Sequence, residues 1–159
     1  MFVLSVGLIG CTAEVPETTQ YTLTISSTDG GDNACIPAVG CTCGEGTKDS
    51  GGVAVPAQCV CVEGTEVSIL ASPAFGYRFI GWTGDVDTIG DVDAAETTIT
   101  MNGDYSVTAN FIAQYALTIG STDGGHVTKP GEGTFTYDTG AVVDLVAEPD
   151  EGYKFVNWT

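Results

Sequence analysis

Apolar and polar residues alternate strictly along Tyr21–Ile25 (YTLTI), with Tyr21, Leu23 and Ile25 on one face and Thr22 and Thr24 on the other. A period of two marks a half-buried strand. Ser26–Gly31 closes it, with Asp29-Gly30 as the turn signal. Glu66–Ser72 predicts another strand, Pro73–Gly76 its turn, and Tyr77–Trp82 the strand after it. Alternation along that last strand puts Tyr77 and Phe79 on one face and Ile80 and Trp82 on the other. Thr97–Met101, the turn Asn102-Gly103-Asp104 and Tyr105–Phe111 predict a hairpin, because Asn-Gly between alternating runs is a strong short-range hairpin signal. Beyond the N-terminal apolar run, no window keeps apolar residues at the helical period for more than two turns. The pattern predicts an all-β protein.

The pattern also repeats. Gly64–Thr83 (GTEVSILASPAFGYRFIGWT) recurs as Gly140–Thr159 (GAVVDLVAEPDEGYKFVNWT) at an offset of 76. The first arm, Tyr21–Gly31, recurs as Tyr115–Gly125 (YALTIGSTDGG) at an offset of 94, so the first unit carries an 18-residue insertion. Two tandem repeats follow, at about residues 21–112 and 115–159, with the insertion placed at about residues 32–61. The paired aromatics Tyr77, Phe79, Trp82, Tyr153, Phe155 and Trp158 read as the core of each unit, since rings of this size carry much of the burial available to a small domain. Nothing repeats Gly84–Phe111 after Thr159, which predicts an open sheet edge in the second unit and a chain that continues in a longer protein, with completion by a partner strand as the alternative.

Residues 1–10 (MFVLSVGLIG) form an apolar run too short to cross a bilayer, and fit the apolar core of a secretory signal peptide. Leu8-Ile9-Gly10-Cys11 resembles a bacterial lipobox, and the resemblance implies cleavage before Cys11 and lipidation of its side chain. Residues 11–20 then read as a polar tether to a membrane anchor, where more than one acyl chain is needed for stable attachment.

The charge narrows the partners. The chain of 159 residues has 21 Asp and Glu against 4 Lys and Arg, a net charge of −17. A nucleic-acid ligand needs a basic footprint, and none is present. Asp85, Asp87, Asp91 and Asp93 alternate within an acidic segment and are candidate Ca²⁺ ligands, though without the order of an EF-hand loop. His126 stands beside a turn without His or Cys company, and reads as an exposed loop residue.

Five cysteines fall in the insertion. Cys41 and Cys43 share one face of a strand, as do Cys59 and Cys61. If the two runs pair antiparallel, one register sets Cys41 opposite Cys61 and Cys43 opposite Cys59, within disulfide reach. Two disulfides, four thiolates on zinc or an iron–sulfur centre, and unpaired thiols all remain open; Cys35 has no assignment.

YTLTI-(S)STDGG, a V-x-L/I-x-A-x-P strand, GY-x-F-x-x-WTGD and TTITMNGDYSVTANF together resemble the divergent internalin-type B-repeat family. The resemblance covers Tyr21–Phe111 outside the Cys insertion, and Tyr115–Thr159. It implies small β-grasp-like units strung along bacterial surfaces as spacers or adhesive protein-interaction segments, and it supplies no catalytic residue. The residues contain no nucleophile–base set and no phosphate-binding loop. The expectation is a non-enzymatic, lipid-anchored protein of the bacterial cell envelope, with a protein or cell-surface ligand as partner. A Ca²⁺ module and a metal or redox role for the Cys insertion are the alternatives.

Overall fold

A computed structural model describes residues 18–44 and 57–159. The apolar run at residues 1–10, Cys11 and most of the loop after Cys43 lie outside the described residues. The described chain contains eleven strands and no helix. They are β1 Gln20–Ser27, β2 Gly31–Ile36, β3 Cys41–Gly44, β4 Ala57–Val62, β5 Glu66–Pro73, β6 Tyr77–Gly84, β7 Glu96–Thr100, β8 Tyr105–Ile119, β9 Gly125–Lys129, β10 Gly133–Asp138 and β11 Val146–Pro149.

The first unit is two sheets around one core. One sheet runs β6-β8-β1-β4-β3, with β8 parallel to β1 and the other neighbours antiparallel. The other runs β2-β5-β7. Alternation places Leu23 and Ile25 of β1, Ala57, Cys59 and Cys61 of β4, and Val107 and Ala109 of β8 on the inner face of the first sheet. Val67 and Ile69 of β5 and Ile99 of β7 meet them from the second. Each Leu or Ile buried this way contributes about 1.5–3 kcal/mol. Outward Thr22, Thr24 and Gln58 remain at the surface side of the same strands.

The expected hairpin between Thr97–Met101 and Tyr105–Phe111 does not form. β7 pairs with β5 and β8 with β1, so Asn102-Gly103-Asp104 carries the chain from one sheet to the other. The reason lies in burial: Ile99 and Met101 on one side, and Val107 and Ala109 on the other, all have zero exposure. These residues face each other across the core instead of lying side by side in one sheet. Asp104 closes the crossover, its Oδ1 accepting the Thr22 N–H at 2.7 Å.

The second unit repeats four strands of the first, β1, β2, β4 and β5. β10 pairs with the last part of β8 as Gly133↔Ile119, Phe135↔Leu117 and Tyr137↔Tyr115, matching Ala57↔Ile25, Cys59↔Leu23 and Cys61↔Tyr21 of β4 on β1. β9 and β11 correspond likewise to β2 and β5. This equivalence corrects the boundaries of the insertion. The offset is still 94 at β2 and already 76 at β4, so the added residues lie between Ile36 and Ala57. Of the five cysteines only Cys41 and Cys43 are inserted. Cys35, Cys59 and Cys61 occupy strand positions of the repeat itself, where the second unit has Lys129, Phe135 and Tyr137.

Candidate functional site

The repeated aromatic motif sits differently in its two copies. In the first, Trp82 is 3% exposed, its indole N–H donates to the Ala94 carbonyl at 2.9 Å, and its ring lies 5.5 Å from that of Phe79. Phe79 in turn meets Phe111 of β8 edge-on, at 5.9 Å. Phe79 and Trp82 therefore share a face, contrary to strict alternation. The register of β6 on β8 slips between Phe79 and Gly81, and this bulge turns Ile80 outward.

Tyr77 is not core: it is 36% exposed. Its ring covers Gly30, where a β-carbon would overlap it and where φ is +102°. The neighbouring Gly31 makes room in the same way for the ring of Phe111. The Asp-Gly-Gly signal is therefore both a turn and a seat for two aromatic rings, and pattern reading recognised only the turn.

In the second copy, Tyr153 covers Gly124 as Tyr77 covers Gly30, and Phe155 and Trp158 again pair, at 5.4 Å. However, Tyr153 is 62% and Trp158 43% exposed, and Phe155 is exposed too, so the assignment of these three to a core is overturned. Local sequence builds the same ring pair twice. Phe111 and the Ala94 segment cover the first, and no described residues repeat that cover for the second. The uncovered rings line an open hollow of about 290 Å³ together with Gly120–Val127 and Ala147–Pro149.

The acidic segment folds as a strap over β6 and β7. Trp82 N–H donates to the Val92 carbonyl at 2.8 Å, and Gly90 N–H to the Thr98 carbonyl at 2.9 Å. Asp85 Oδ2 accepts the Ser106 N–H at 2.8 Å, and Asp91 Oδ1 accepts the Asp93 N–H at 2.9 Å. These carboxylates cap backbone donors. Asp85, Asp87, Asp91 and Asp93 do not converge as a group of three or more within ligating distance among the described residues.

The cysteines do converge. Cys41 opposes Cys61 and Cys43 opposes Cys59, in the register that the residue spacing predicts. A disulfide joins Cys41 to Cys61. The sulfur of Cys59 touches both Cys43 and Cys35, and the three Sγ atoms lie within 4.8 Å of one another. Cys35, Cys43 and Cys59 are thus the described residues whose donor set fits a soft metal ion.

A further cluster lies where the two units meet. β8 belongs to both units: its first part pairs with β1 and β6, its last part with β10. At the changeover, Gln114 N–H donates to the Gly76 carbonyl at 2.7 Å and Thr139 N–H to the Ala113 carbonyl at 2.8 Å. Arg78 of β6 clamps Asp138 of β10 with its guanidinium, Nε donating to Oδ1 at 2.8 Å, and Gln114 Nε2 donates to the same Oδ1 at 3.0 Å. The Arg78 hydrogen bonds, then that of Gln114, hold the Asp138 carboxyl down at about 2, from an ordinary 3.8. The same pairing raises Arg78. One signal for this clamp was visible, since Arg78 is one of only 4 Lys and Arg in the chain.

His126 lies on β9 and not in a loop, with its ring nitrogens 4.0 Å from Glu148 and 3.8 Å from Asp150. Glu132 is lowered by the Ser121 hydroxyl, which donates to it at 2.6 Å, and then by the Val127 N–H.

The divergent InlB B-repeat domain matches the chain over residues 45–114 and again over 115–159. No curated protein and no solved structure gives a significant match.

Proposed function

Since the chain belongs to the divergent InlB B-repeat domain family, we propose that it is a bacterial surface repeat protein whose tandem units act as a stiff spacer. The observation that carries this reading is the shared strand. Fifteen residues of β8 run through both units without a linker, spanning about 50 Å at about 3.4 Å per residue. A flexible connection would need a stretch of unpaired, Gly- or Ser-rich chain. Here Gln114, Arg78 and Asp138 instead tie the end of one repeat to the start of the next. The spacer is non-catalytic, and its adhesive surface is a protein-interaction face.

The excess of acidic residues suits an exported chain, keeping neighbouring copies apart by like charge. The lipobox-like Leu8–Cys11 supports attachment to the cell envelope through lipid on Cys11. Labelling of cells with a radioactive fatty acid tests the anchor. Wild-type chain is expected in the membrane fraction, labelled and accessible to protease added to the cells, whereas Cys11→Ser is unlabelled and released. Unlabelled wild-type chain in the cytosolic fraction would overturn the reading.

A further inference from the structure

Three thiols meet where the repeat and its insertion join. Cys35 comes from β2, Cys43 from β3 and Cys59 from β4, and their sulfurs lie within 4.8 Å of one another. Cys41 and Cys61 are bonded to each other and stand outside the trio. A sulfur forms one S–S bond, yet Cys35 and Cys43 both bring their sulfurs to within 4.8 Å of that of Cys59. In an oxidising compartment the trio therefore holds one disulfide and one thiol.

We propose that Cys35, Cys43 and Cys59 form a thiol–disulfide exchange site with Cys59 as the shared sulfur. Cys59 has zero exposure, so dissolved thiols do not reach it, while Cys35 and Cys43 are half-buried at the two sides. Only these two neighbours compete for it. In the exchange, the Cys35 thiolate attacks Sγ of Cys59 in the Cys43–Cys59 bond. The Cys35–Cys59 bond forms as the Cys43–Cys59 bond breaks. Cys43 leaves as a thiolate and takes up a proton, replacing the one Cys35 gave to solvent. No electrons enter or leave, so no oxidant is needed for the swap.

The two bonded forms differ in what they tie together. Cys43 and Cys59 are opposed neighbours in one sheet, with Cα atoms 4.0 Å apart. Cys35 lies in the other sheet, with its Cα 7.3 Å from that of Cys59, a separation at which bridging requires backbone movement. Because β3 is paired with β4 and tied to it by Cys41–Cys61, Cys43 stays opposite Cys59, and the resting form is Cys43–Cys59 with Cys35 as the thiol. Exchange replaces a bond within one sheet by a bond across the core. The Cys41–Cys61 disulfide keeps β3 on β4 in both forms, so the Cys43 thiol stays in place for the return step. The site belongs to the first unit alone, since Lys129 and Phe135 stand at the Cys35 and Cys59 positions in the second. It stands whether or not the chain is a spacer.

The test uses the full chain equilibrated in mixed reduced and oxidised glutathione, alkylated while folded with iodoacetamide, and mapped by peptide mass spectrometry. The Cys41–Cys61 peptide is expected in all molecules, with one alkylated thiol per trio, divided between Cys35 and Cys43 in favour of Cys35. Cys35→Ser and Cys43→Ser should each keep Cys59 in a disulfide with the remaining partner and lose the alkylatable thiol. Three outcomes overturn the proposal: wild-type Cys59 bonded to one partner alone, Cys59 left unbonded in Cys43→Ser, or a trio that carries a metal ion and no disulfide. The wild-type map decides the matter even if a variant fails to fold.

Discussion

Trp82 and Trp158 occupy the same place in the same motif, and replacing each by Ala separates what the motif contributes from what covers it. Trp82 is 3% exposed and packed between Phe79 and the acidic strap. Its truncation removes a large buried ring and leaves a cavity, a loss of about 3–5 kcal/mol. It also leaves the Ala94 carbonyl without its indole donor, about 1 kcal/mol more. Trp158 is 43% exposed and opens onto the hollow beside β9, so its truncation leaves no closed cavity and costs about 1 kcal/mol. In urea, with a slope of about 2 kcal/mol per M, the midpoint should fall by about 2–3 M for Trp82→Ala and by about 0.5 M for Trp158→Ala. Far-ultraviolet circular dichroism at equal protein concentration reads both transitions. Trp82→Phe should fall between them. Two Ala variants with equal midpoints would show that strap and Phe111 cover contribute nothing, and would refute the reasoning.

Asp138 should titrate with a midpoint near 2, followed by its carboxyl carbon resonance. Because its carboxyl is lowered in the folded chain, its contribution is complete above the ordinary 3.8 and is lost as pH falls toward 2; a midpoint near 3.8 would remove the clamp from the account. Gly30→Ala should destabilise the chain by more than about 1 kcal/mol, since the β-carbon meets the Tyr77 ring at a positive φ; an unchanged melting temperature would contradict this. Replacing Cys41 and Cys61 together by Ser opens a loop of 20 residues and should cost about 3 kcal/mol, measured by thermal unfolding under conditions that keep the trio oxidised.

Much of this architecture was legible because it is written in local periodicity. The strands around Tyr21–Ile25, Glu66–Ser72 and Tyr105–Phe111, and the opposed cysteine register, follow from side chains that repeat every second residue. What was not legible depends on partners distant in sequence. Asn102-Gly103 carries a hairpin signal, yet Met101 and Val107 both need the core, and only a crossover buries both. The bulge that unites Phe79 with Trp82 depends on the pairing of β6 with β8, and the glycines of the Asp29–Gly31 turn receive the rings of Tyr77 and Phe111, both distant in sequence. Cysteine content suggested that all five thiols were inserted together, whereas strand equivalence assigns Cys35, Cys59 and Cys61 to the repeat.

The central claim is that consecutive repeats are joined stiffly through β8. Residual dipolar couplings on the weakly aligned, ¹⁵N-labelled chain test it most directly, because each rigid body reports its own alignment. The account predicts that amides of β1–β7 and of β9–β10 fit a single alignment tensor, and that Asp138→Ala reduces the agreement. Two tensors of different magnitude in the unaltered chain would mean that the units move independently, and would contradict the spacer.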